Sequence, residues 1–260
     1  AQNPHVALHF PALAEACARI AGPQLRRMGT LGGNLCLDTR CLYIDQSHFW
    51  RSALGFCLKK DGSACHVVAG GKRCVAAASN DSALPLILYG AQVTLAGAKG
   101  QRKIALDALY VADGVKNTQL RDDEILCDIE IPRPQPGQQV IFDKLTLRQS
   151  IDFPLLNLAL SVQRDPKNGL VQSCKAAVGA LQANHKILNL DKKTRGRPMN
   201  EALGQEVAER LYASCRPLTS LATDPNWRRC MLRVMVRRNW QELMEKTSFS
   251  SNPSTWQPIS

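Results

Sequence analysis

The hydrophobic and polar positions along the chain predict helices and strands in separate runs. A helical repeat over residues 11–22 opens at a proline and closes at a glycine, and a second predicted helix, 80–90, also ends at a glycine. Alternating positions predict strands, which are 91–96, 101–106 and 128–132. Farther along, the pattern predicts three strands and two helices, which are 140–147, 155–163, 171–181, 200–214 and 226–244. This arrangement indicates an α+β fold.

Residues 133–139 contain two prolines and a glycine, and we interpret them as a linker between domains. We therefore expect a first domain over 1–136, with a polar insertion at 35–78, and a smaller second domain over 137–246. The segment 247–260 is rich in serine and proline, and we expect it to be disordered.

Charge and hydropathy exclude some classes of protein. No run of about 18 apolar residues exists, so no membrane span is predicted. No signal peptide is recognisable, and the expected location is the cytoplasm. The net charge is +11, but the cations are spread along the chain. We interpret the densest group, 227–238, as a solvated helix face or a subunit contact. Aromatic and basic residues are not interleaved, which argues against nucleic acid.

Ten cysteines divide into a cluster and a scattered set. The scattered set has apolar neighbours and is predicted to lie in the core; it comprises Cys17, Cys127, Cys174, Cys215 and Cys230. The cluster comprises Cys36, Cys41, Cys57, Cys65 and Cys74. Without a secretion signal, such a cluster indicates metal or redox chemistry and not a disulfide framework.

The cluster spacing favours an iron–sulfur centre. The last four cysteines are separated by fifteen, seven and eight residues, whereas zinc sites use close pairs. Four thiolates suit a [4Fe–4S] cluster, whose charge neighbouring cations would offset; these are Lys59, Lys60, Lys72 and Arg73. Structural zinc and free thiols remain alternatives. Cys36 is the spare cysteine, expected in a buried strand, and His48 and His66 are interpreted as loop residues.

The segment 29–34 reads Gly-Thr-Leu-Gly-Gly-Asn and predicts a turn that binds an anion. Glycines allow positive φ and close approach of the backbone, and Thr30 and Asn34 add side-chain donors for phosphate oxygens or a ring carbonyl. The alternative is a tight turn between a helix and a strand. The segment matches neither the Rossmann nor the P-loop pattern.

Five segments together resemble the flavin-binding medium subunits of the xanthine dehydrogenase and carbon monoxide dehydrogenase family. They are QLRRMGTLGGN at 24–34, SND at 79–81, 125–132 ending in Pro132, FDK at 142–144 followed by Arg148, and WRR at 227–229. They occur in the family's order over most of residues 11–244.

The resemblance implies a partial FAD-binding domain of the PCMH/CO dehydrogenase flavoprotein type, followed by that family's C-terminal domain of a sheet and helices. It implies that four residues face FAD: Thr30, Gly32, Gly33 and Asn34. Asp81 would bond the adenosine side, Leu126 would pack on the cofactor, and Lys144 would lie near the isoalloxazine and stabilise reduced flavin. The alternatives are core packing for Leu126 and a surface cation for Lys144. No residue of the chain is expected to break substrate bonds.

Asn34 and Asp81 lie 47 positions apart, and the insertion between them resembles the β subunits of 4-hydroxybenzoyl-CoA reductases. That resemblance implies a [4Fe–4S] cluster with four ligands: Cys41, Cys57, Cys65 and Cys74. It also implies a molybdenum-cofactor subunit and a [2Fe–2S] subunit in a dimer of heterotrimers, with a low-potential donor such as ferredoxin. Such enzymes remove the ring hydroxyl reductively, giving benzoyl-CoA in anaerobic aromatic degradation.

Two alternatives remain open. The chain could be the flavin subunit of another hydroxylase of this family, with zinc or nothing in the loop, or a basic zinc module that contacts nucleic acid. The family's first FAD segment, a glycine-rich loop, would lie upstream of Ala1. Because the sequence starts within a helical pattern, we expect N-terminal residues to be missing and the flavin site to be incomplete in this chain.

Overall fold

The computed structural model describes residues 2–246. The first part of the chain contains short helices and one small sheet. The helices are α1 (Pro4–His9), α2 (Pro11–Ala18), α3 (Pro23–Met28), α4 (Leu31–Leu35), α5 (His48–Ala53), α6 (Ala83–Tyr89) and α7 (Leu106–Leu109). The strands are β1 (Gln92–Gly97), β2 (Gly100–Ala105) and β3 (Glu124–Glu130), which form an antiparallel sheet in the order β2-β1-β3.

The second part contains a larger antiparallel sheet and two long helices. Its strands are β4 (Gln138–Leu145), β5 (Leu156–Arg164), β6 (Val171–Gly179) and β7 (Lys186–Asn189), which pair in sequence order. Its helices are α8 (Asp191–Thr194), α9 (Glu201–Ser214) and α10 (Pro225–Glu245). Each long helix begins at a side-chain cap. The Asn200 side chain accepts a hydrogen bond from the Leu203 amide, and the Asp224 side chain accepts one from the Trp227 amide.

The larger sheet is covered on both faces. Leu158 and Leu160 of β5 belong to a core that includes α9 and α10, whereas Ala159 belongs to a core that includes α2 and α6. Strand β5 is therefore buried over its first seven positions and not at every second one. This double burial packs the two parts of the chain against a shared sheet.

The predicted α+β fold is confirmed, although several boundaries were wrong. The first predicted helix ends at Ala18 and not at residue 22, and the predicted turn at 29–34 contains helix α4. Strand β4 begins within the predicted linker, at Gln138. The pattern did not predict β7, the short helices α1, α3 and α5, or the turns of helix in α7 and α8. The predicted disordered tail lies outside the described residues.

The expectation of a solvated basic face is wrong for Arg228. Its side chain is fully buried and donates to the carbonyls of Leu155 and Ala180.

The prediction that the scattered cysteines lie in the core is confirmed for Cys174 and Cys215, which are buried. It is wrong for two others, which lie at the surface: Cys127 and Cys230. Cys17 is half-buried. None of the helices within residues 2–246 has the length and apolar composition of a membrane span.

Helix α10 allows a matched test of core packing. Trp240 is 1% exposed and its indole N–H donates to the Asn200 carbonyl at 2.9 Å, whereas Trp227 on the same helix is 44% exposed. We expect Trp240→Ala to lower the free energy of unfolding by about 3–5 kcal/mol, because it leaves a large cavity. Trp227→Ala should change it by about 0.5 kcal/mol or less. Urea unfolding measures both; equal losses would contradict this packing.

Candidate functional site

Helix α4 contains the glycine pair, and Thr30 caps its N-terminus. The Thr30 hydroxyl accepts the Gly33 amide at 2.9 Å. A Cβ at Gly33 would lie 3.1 Å from that hydroxyl, so glycine allows the cap to close tightly. None of the glycines at 29, 32 and 33 has a positive φ, so of the two properties that glycine offers, only close approach of the backbone is used here. The first amides of the helix, at Leu31 and Gly32, have no intrahelical acceptor.

Leu126 of strand β3 packs against this helix. A Cβ at Gly32 would lie 3.4 Å from the Leu126 Cδ2 atom, so the leucine covers the glycine closely. Leu126 is half-buried, and Thr30 and Gly33 are exposed. The structure therefore brings these residues together at a partly open surface, where glycine backbone and an apolar side chain adjoin. A flat cofactor needs both kinds of contact.

The two ends of the insertion are tied together by reciprocal hydrogen bonds. The Asn34 carbonyl Oδ1 accepts from the Ser82 amide at 3.1 Å and from the Ser82 hydroxyl at 2.6 Å. In return, the Asn80 side-chain amide donates to the Asn34 backbone carbonyl at 2.8 Å and to the Leu35 carbonyl at 3.0 Å. The Asn34 Oδ1 atom is thus already hydrogen-bonded within the protein.

Asp81 and Lys144 form a buried ion pair. The Lys144 ammonium lies 2.7 Å from Asp81 Oδ2, and the Asn157 side-chain amide donates to Asp81 Oδ1 at 3.2 Å. The Asp81 side chain is 5% exposed and the Lys144 side chain is 2% exposed, so Lys144 is not a surface cation. Burial raises the pKa of the Asp81 carboxyl, and the Lys144 ammonium opposes that rise.

The predicted flavin residues therefore form one chain of contacts. Gly32 touches Leu126, Asn34 touches Ser82, and the adjacent Asp81 holds Lys144. The glycines and free backbone amides at the start of α4 fit a phosphate-bearing cofactor. The roles assigned to the individual residues remain predictions.

The cysteine insertion is a loop closed at its base. Arg40 and Ala77 exchange two backbone hydrogen bonds, of 2.9 and 2.7 Å. Beyond this bridge, the Leu42 amide donates to the Ser220 carbonyl, and the Ala78 amide donates to the Gln182 carbonyl. Both acceptors belong to the second part of the chain, so the loop, which is inserted in the first part, is anchored to the second.

Four cysteines of the loop line one pocket. Cys41, Cys57 and Cys74 are buried, and Cys65 is half-buried. Helix α5 lies in the same loop, and its Trp50 ring contacts Tyr43, another residue of the pocket wall. The fifth cysteine, Cys36, does not line the pocket. It ends helix α4 and is half-buried, so its predicted place in a buried strand is wrong.

Backbone amides lie near three of the four sulfurs. The Val68 amide donates to Cys65 at 3.4 Å. The Tyr43 and Ala76 amides act on Cys41 and Cys74, because each amide favours the thiolate and lowers the pKa of its cysteine. Burial raises the pKa of the Cys41 thiol to about 11. Burial also raises the pKa of Cys74, and the nearby Lys59 ammonium partly opposes that rise. Amides and a cation near the sulfurs favour the thiolate, which is the form of cysteine that binds metal.

The four cysteines do not form a ready-made site for a single ion. Among the described residues, no three histidine, cysteine, aspartate or glutamate side chains are grouped closely enough to hold one ion. By their chemistry, four cysteines around one pocket are a donor set for a [4Fe–4S] cluster and also for structural zinc. His66 also lines this pocket, and its Nε2 atom lies 2.5 Å from the Phe56 carbonyl; His48 is exposed at the start of α5.

Sequence reasoning missed Gly114, which contacts a pocket cysteine, and the buried His185. Gly114 presses on the pocket, because a Cβ there would lie 2.7 Å from the Cys74 sulfur. His185 is buried against Tyr110, and neither ring nitrogen has a hydrogen-bond partner among the described residues. Burial lowers the pKa of His185 to about 4. No local pattern marks these residues, because their neighbours lie far away in sequence.

Comparisons with known proteins agree with this geometry. Residues 1–134 match the family of FAD binding domains in molybdopterin dehydrogenases, and residues 142–243 match the CO dehydrogenase flavoprotein C-terminal domain. The xanthine dehydrogenase FAD-binding subunit of Escherichia coli O157:H7 is 23% identical over 233 residues, which cover 88% of this chain and 65% of that protein. The carbon monoxide dehydrogenase medium chain of Hydrogenophaga pseudoflava is 23% identical, with 91% and 68% coverage.

Solved structures share the fold. Carbon monoxide dehydrogenase from Hydrogenophaga pseudoflava matches with a TM-score of 0.67 at 22% identity, over 91% of this chain and 68% of that one. Quinoline 2-oxidoreductase from Pseudomonas putida 86 matches with a TM-score of 0.68 at 19% identity, over 95% and 72%. The chain spans about two thirds of the length of these relatives.

The chain belongs to the family of FAD-binding domains of molybdopterin dehydrogenases, which matches more than half of its length. Within that class it is a FAD-binding medium subunit of the xanthine dehydrogenase and carbon monoxide dehydrogenase type, since both of that type's domains follow in order.

The buried ion pair predicts a large and asymmetric mutational effect. We expect Lys144→Met to lower the free energy of unfolding by about 3–5 kcal/mol, because it leaves the Asp81 carboxylate buried without its partner. A double variant that also carries Asp81→Asn should be less destabilised than Lys144→Met alone. Denaturant unfolding of the parent protein, the single variant and the double variant measures these free energies.

The control is Lys103→Met, since Lys103 pairs with Glu130 and both side chains are exposed. That substitution should cost about 1 kcal/mol or less. Equal losses for Lys103→Met and Lys144→Met would show that burial gives the inner pair no special role.

Proposed function

We propose that the chain is the FAD- and [4Fe–4S]-carrying electron-transfer subunit of a molybdenum-containing 4-hydroxybenzoyl-CoA reductase. The observation that carries this proposal is the pocket shared by Cys41, Cys57, Cys65 and Cys74, inside a chain of the FAD-binding family. When bound, the cluster and the flavin supply electron carriers between a low-potential donor such as ferredoxin and the partner subunits.

The flavin site divides its tasks among the residues described above. We assign FAD contacts to Thr30, Gly32, Gly33 and Asn34, with Leu126 as an apolar wall. The family resemblance implies Asp81 at the adenosine side of FAD and Lys144 beside the isoalloxazine, where a cation would favour reduced flavin. Because the two side chains are in direct contact, we assign them a joint role, in which the carboxylate fixes the position of the ammonium beside the cofactor. All seven residues position and tune the cofactor, and none breaks a substrate bond.

The reaction requires partner subunits. We propose a molybdenum-cofactor subunit and a [2Fe–2S] subunit, assembled as a dimer of heterotrimers in the cytoplasm. Support comes from relatives named as medium chains or medium subunits, of carbon monoxide dehydrogenase and of nicotine 6-hydroxylase from Paenarthrobacter nicotinovorans. The complete enzyme would remove the ring hydroxyl of 4-hydroxybenzoyl-CoA reductively during anaerobic aromatic degradation.

Iron analysis tests the cluster, and Cys36 supplies a matched control. We expect Cys41→Ser or Cys74→Ser to remove about four irons and four acid-labile sulfides per chain relative to the anaerobically purified parent protein. Cys36→Ser should retain them, because Cys36 lies outside the pocket. Parent protein with stoichiometric zinc and no iron would sink the cluster assignment while leaving the flavin assignment intact.

Substrate turnover separates the proposed reductase from a family hydroxylase. With a reduced low-potential donor, the assembled complex should convert 4-hydroxybenzoyl-CoA to benzoyl-CoA, detected by chromatography of the thioesters. The same preparation should not oxidise purines with an electron acceptor. Purine oxidation without benzoyl-CoA formation would support the second candidate, a flavin subunit of a hydroxylase, which the xanthine dehydrogenase relatives favour.

A further inference from the structure

Lys59 differs from the other cations that flank the cysteines in sequence. Its side chain is only 10% exposed, whereas Lys60, Lys72 and Arg73 are exposed. Lys59 and Lys60 are neighbours in the tight turn that follows Cys57, in which the Cys57 carbonyl accepts the Lys60 amide at 3.0 Å. This turn directs Lys59 inward, and Lys59 lines the same pocket as the four cysteines.

Three oxygens fix the Lys59 ammonium. It donates to Asp38 Oδ1 at 2.8 Å, to the Thr39 hydroxyl at 2.8 Å and to the Gly114 carbonyl at 2.6 Å. An ammonium group has three donors, so these contacts use its full capacity. The cation is therefore held in one place and does not sample solvent like an ordinary surface lysine.

Gly114 connects this cation to a cysteine. Its amide donates to the Cys74 carbonyl at 2.8 Å, and a Cβ on Gly114 would lie 2.7 Å from the Cys74 sulfur. The residue whose carbonyl binds Lys59 thus rests directly on Cys74. The absence of a side chain at position 114 lets the cation and the sulfur approach across a single backbone unit.

We propose that Lys59 is a positioning residue that holds a positive charge beside Cys74 and thereby raises the reduction potential of the cluster. The inference rests on the proposed function, since it requires the [4Fe–4S] cluster. Reduction adds negative charge to a thiolate-ligated cluster, and a fixed cation nearby stabilises the reduced form more than the oxidised form.

Asp38 offsets this effect only in part. Its side chain is 71% exposed, so water screens its negative charge. The Lys59 ammonium is largely withdrawn from water and is screened less. The positive charge therefore dominates at the cysteine pocket.

The test is an EPR-monitored redox titration of the four-iron cluster in the assembled complex. We expect Lys59→Gln to lower the ratio of reduced to oxidised cluster at a fixed potential roughly tenfold, which is about 59 mV for one electron. Lys59→Arg should stay close to the parent, because it keeps a positive charge. Lys60→Gln, the matched control on the exposed neighbour, should not shift the potential. Asp38→Asn should shift it slightly upward.

The outcomes separate this inference from the proposed function. Parent protein without iron would refute the proposed function itself. An iron-loaded Lys59→Gln variant with an unchanged potential would overturn the role of Lys59. Equal shifts in Lys59→Gln and Lys59→Arg would show a structural effect, and equal shifts in Lys59→Gln and Lys60→Gln would show a general surface-charge effect; either result would also overturn it.

Discussion

The Lys144 ammonium is buried, and a buried cation is stable only when each of its N–H donors has a partner. Its three partners are Asp81 Oδ2, the Arg19 carbonyl at 2.9 Å and the Asp152 carbonyl at 2.9 Å. Asp81 lies in the segment after the insertion, Arg19 at the end of α2 and Asp152 in the loop after β4. Because a misplaced partner would leave a buried charge unsatisfied, this one cation fixes three distant segments relative to the larger sheet.

The segment that supplies Asp81 also organises the rest of the site. Asn80 binds the last carbonyls of α4, Asp81 binds Lys144, and Ser82 binds the Asn34 side chain. Three consecutive residues therefore join the glycine helix, the ion pair and α6. The insertion leaves and re-enters the fold next to this hydrogen-bonded junction, so the base of the long loop adjoins the candidate flavin site. The two candidate cofactor sites are adjacent for the same reason.

Sequence reasoning predicted what depends on local pattern. The long helices, most strands and the grouping of four cysteines followed from spacing, because hydrophobic periodicity and ligand number are properties of the chain itself. The burial of Arg228 did not follow, since its partner carbonyls, on Leu155 and Ala180, are distant in sequence. Lys59 and Lys60 looked equivalent in sequence, yet the turn directs one inward and leaves the other at the surface. Such differences arise from tertiary contacts that no local pattern encodes.

The cysteine pocket combines two opposing effects. Burial raises the pKa of the Cys41 thiol to about 11, so forming a thiolate there is costly. Three backbone amides and Lys59 act in the opposite direction, since they favour negative charge on the sulfurs. These donors only partly offset the cost of burial, and the proposed metal centre would supply the remaining positive charge. A pocket that only filled space would need neither four cysteines nor a fully bonded lysine in its wall, so these side chains argue for a ligand-binding role.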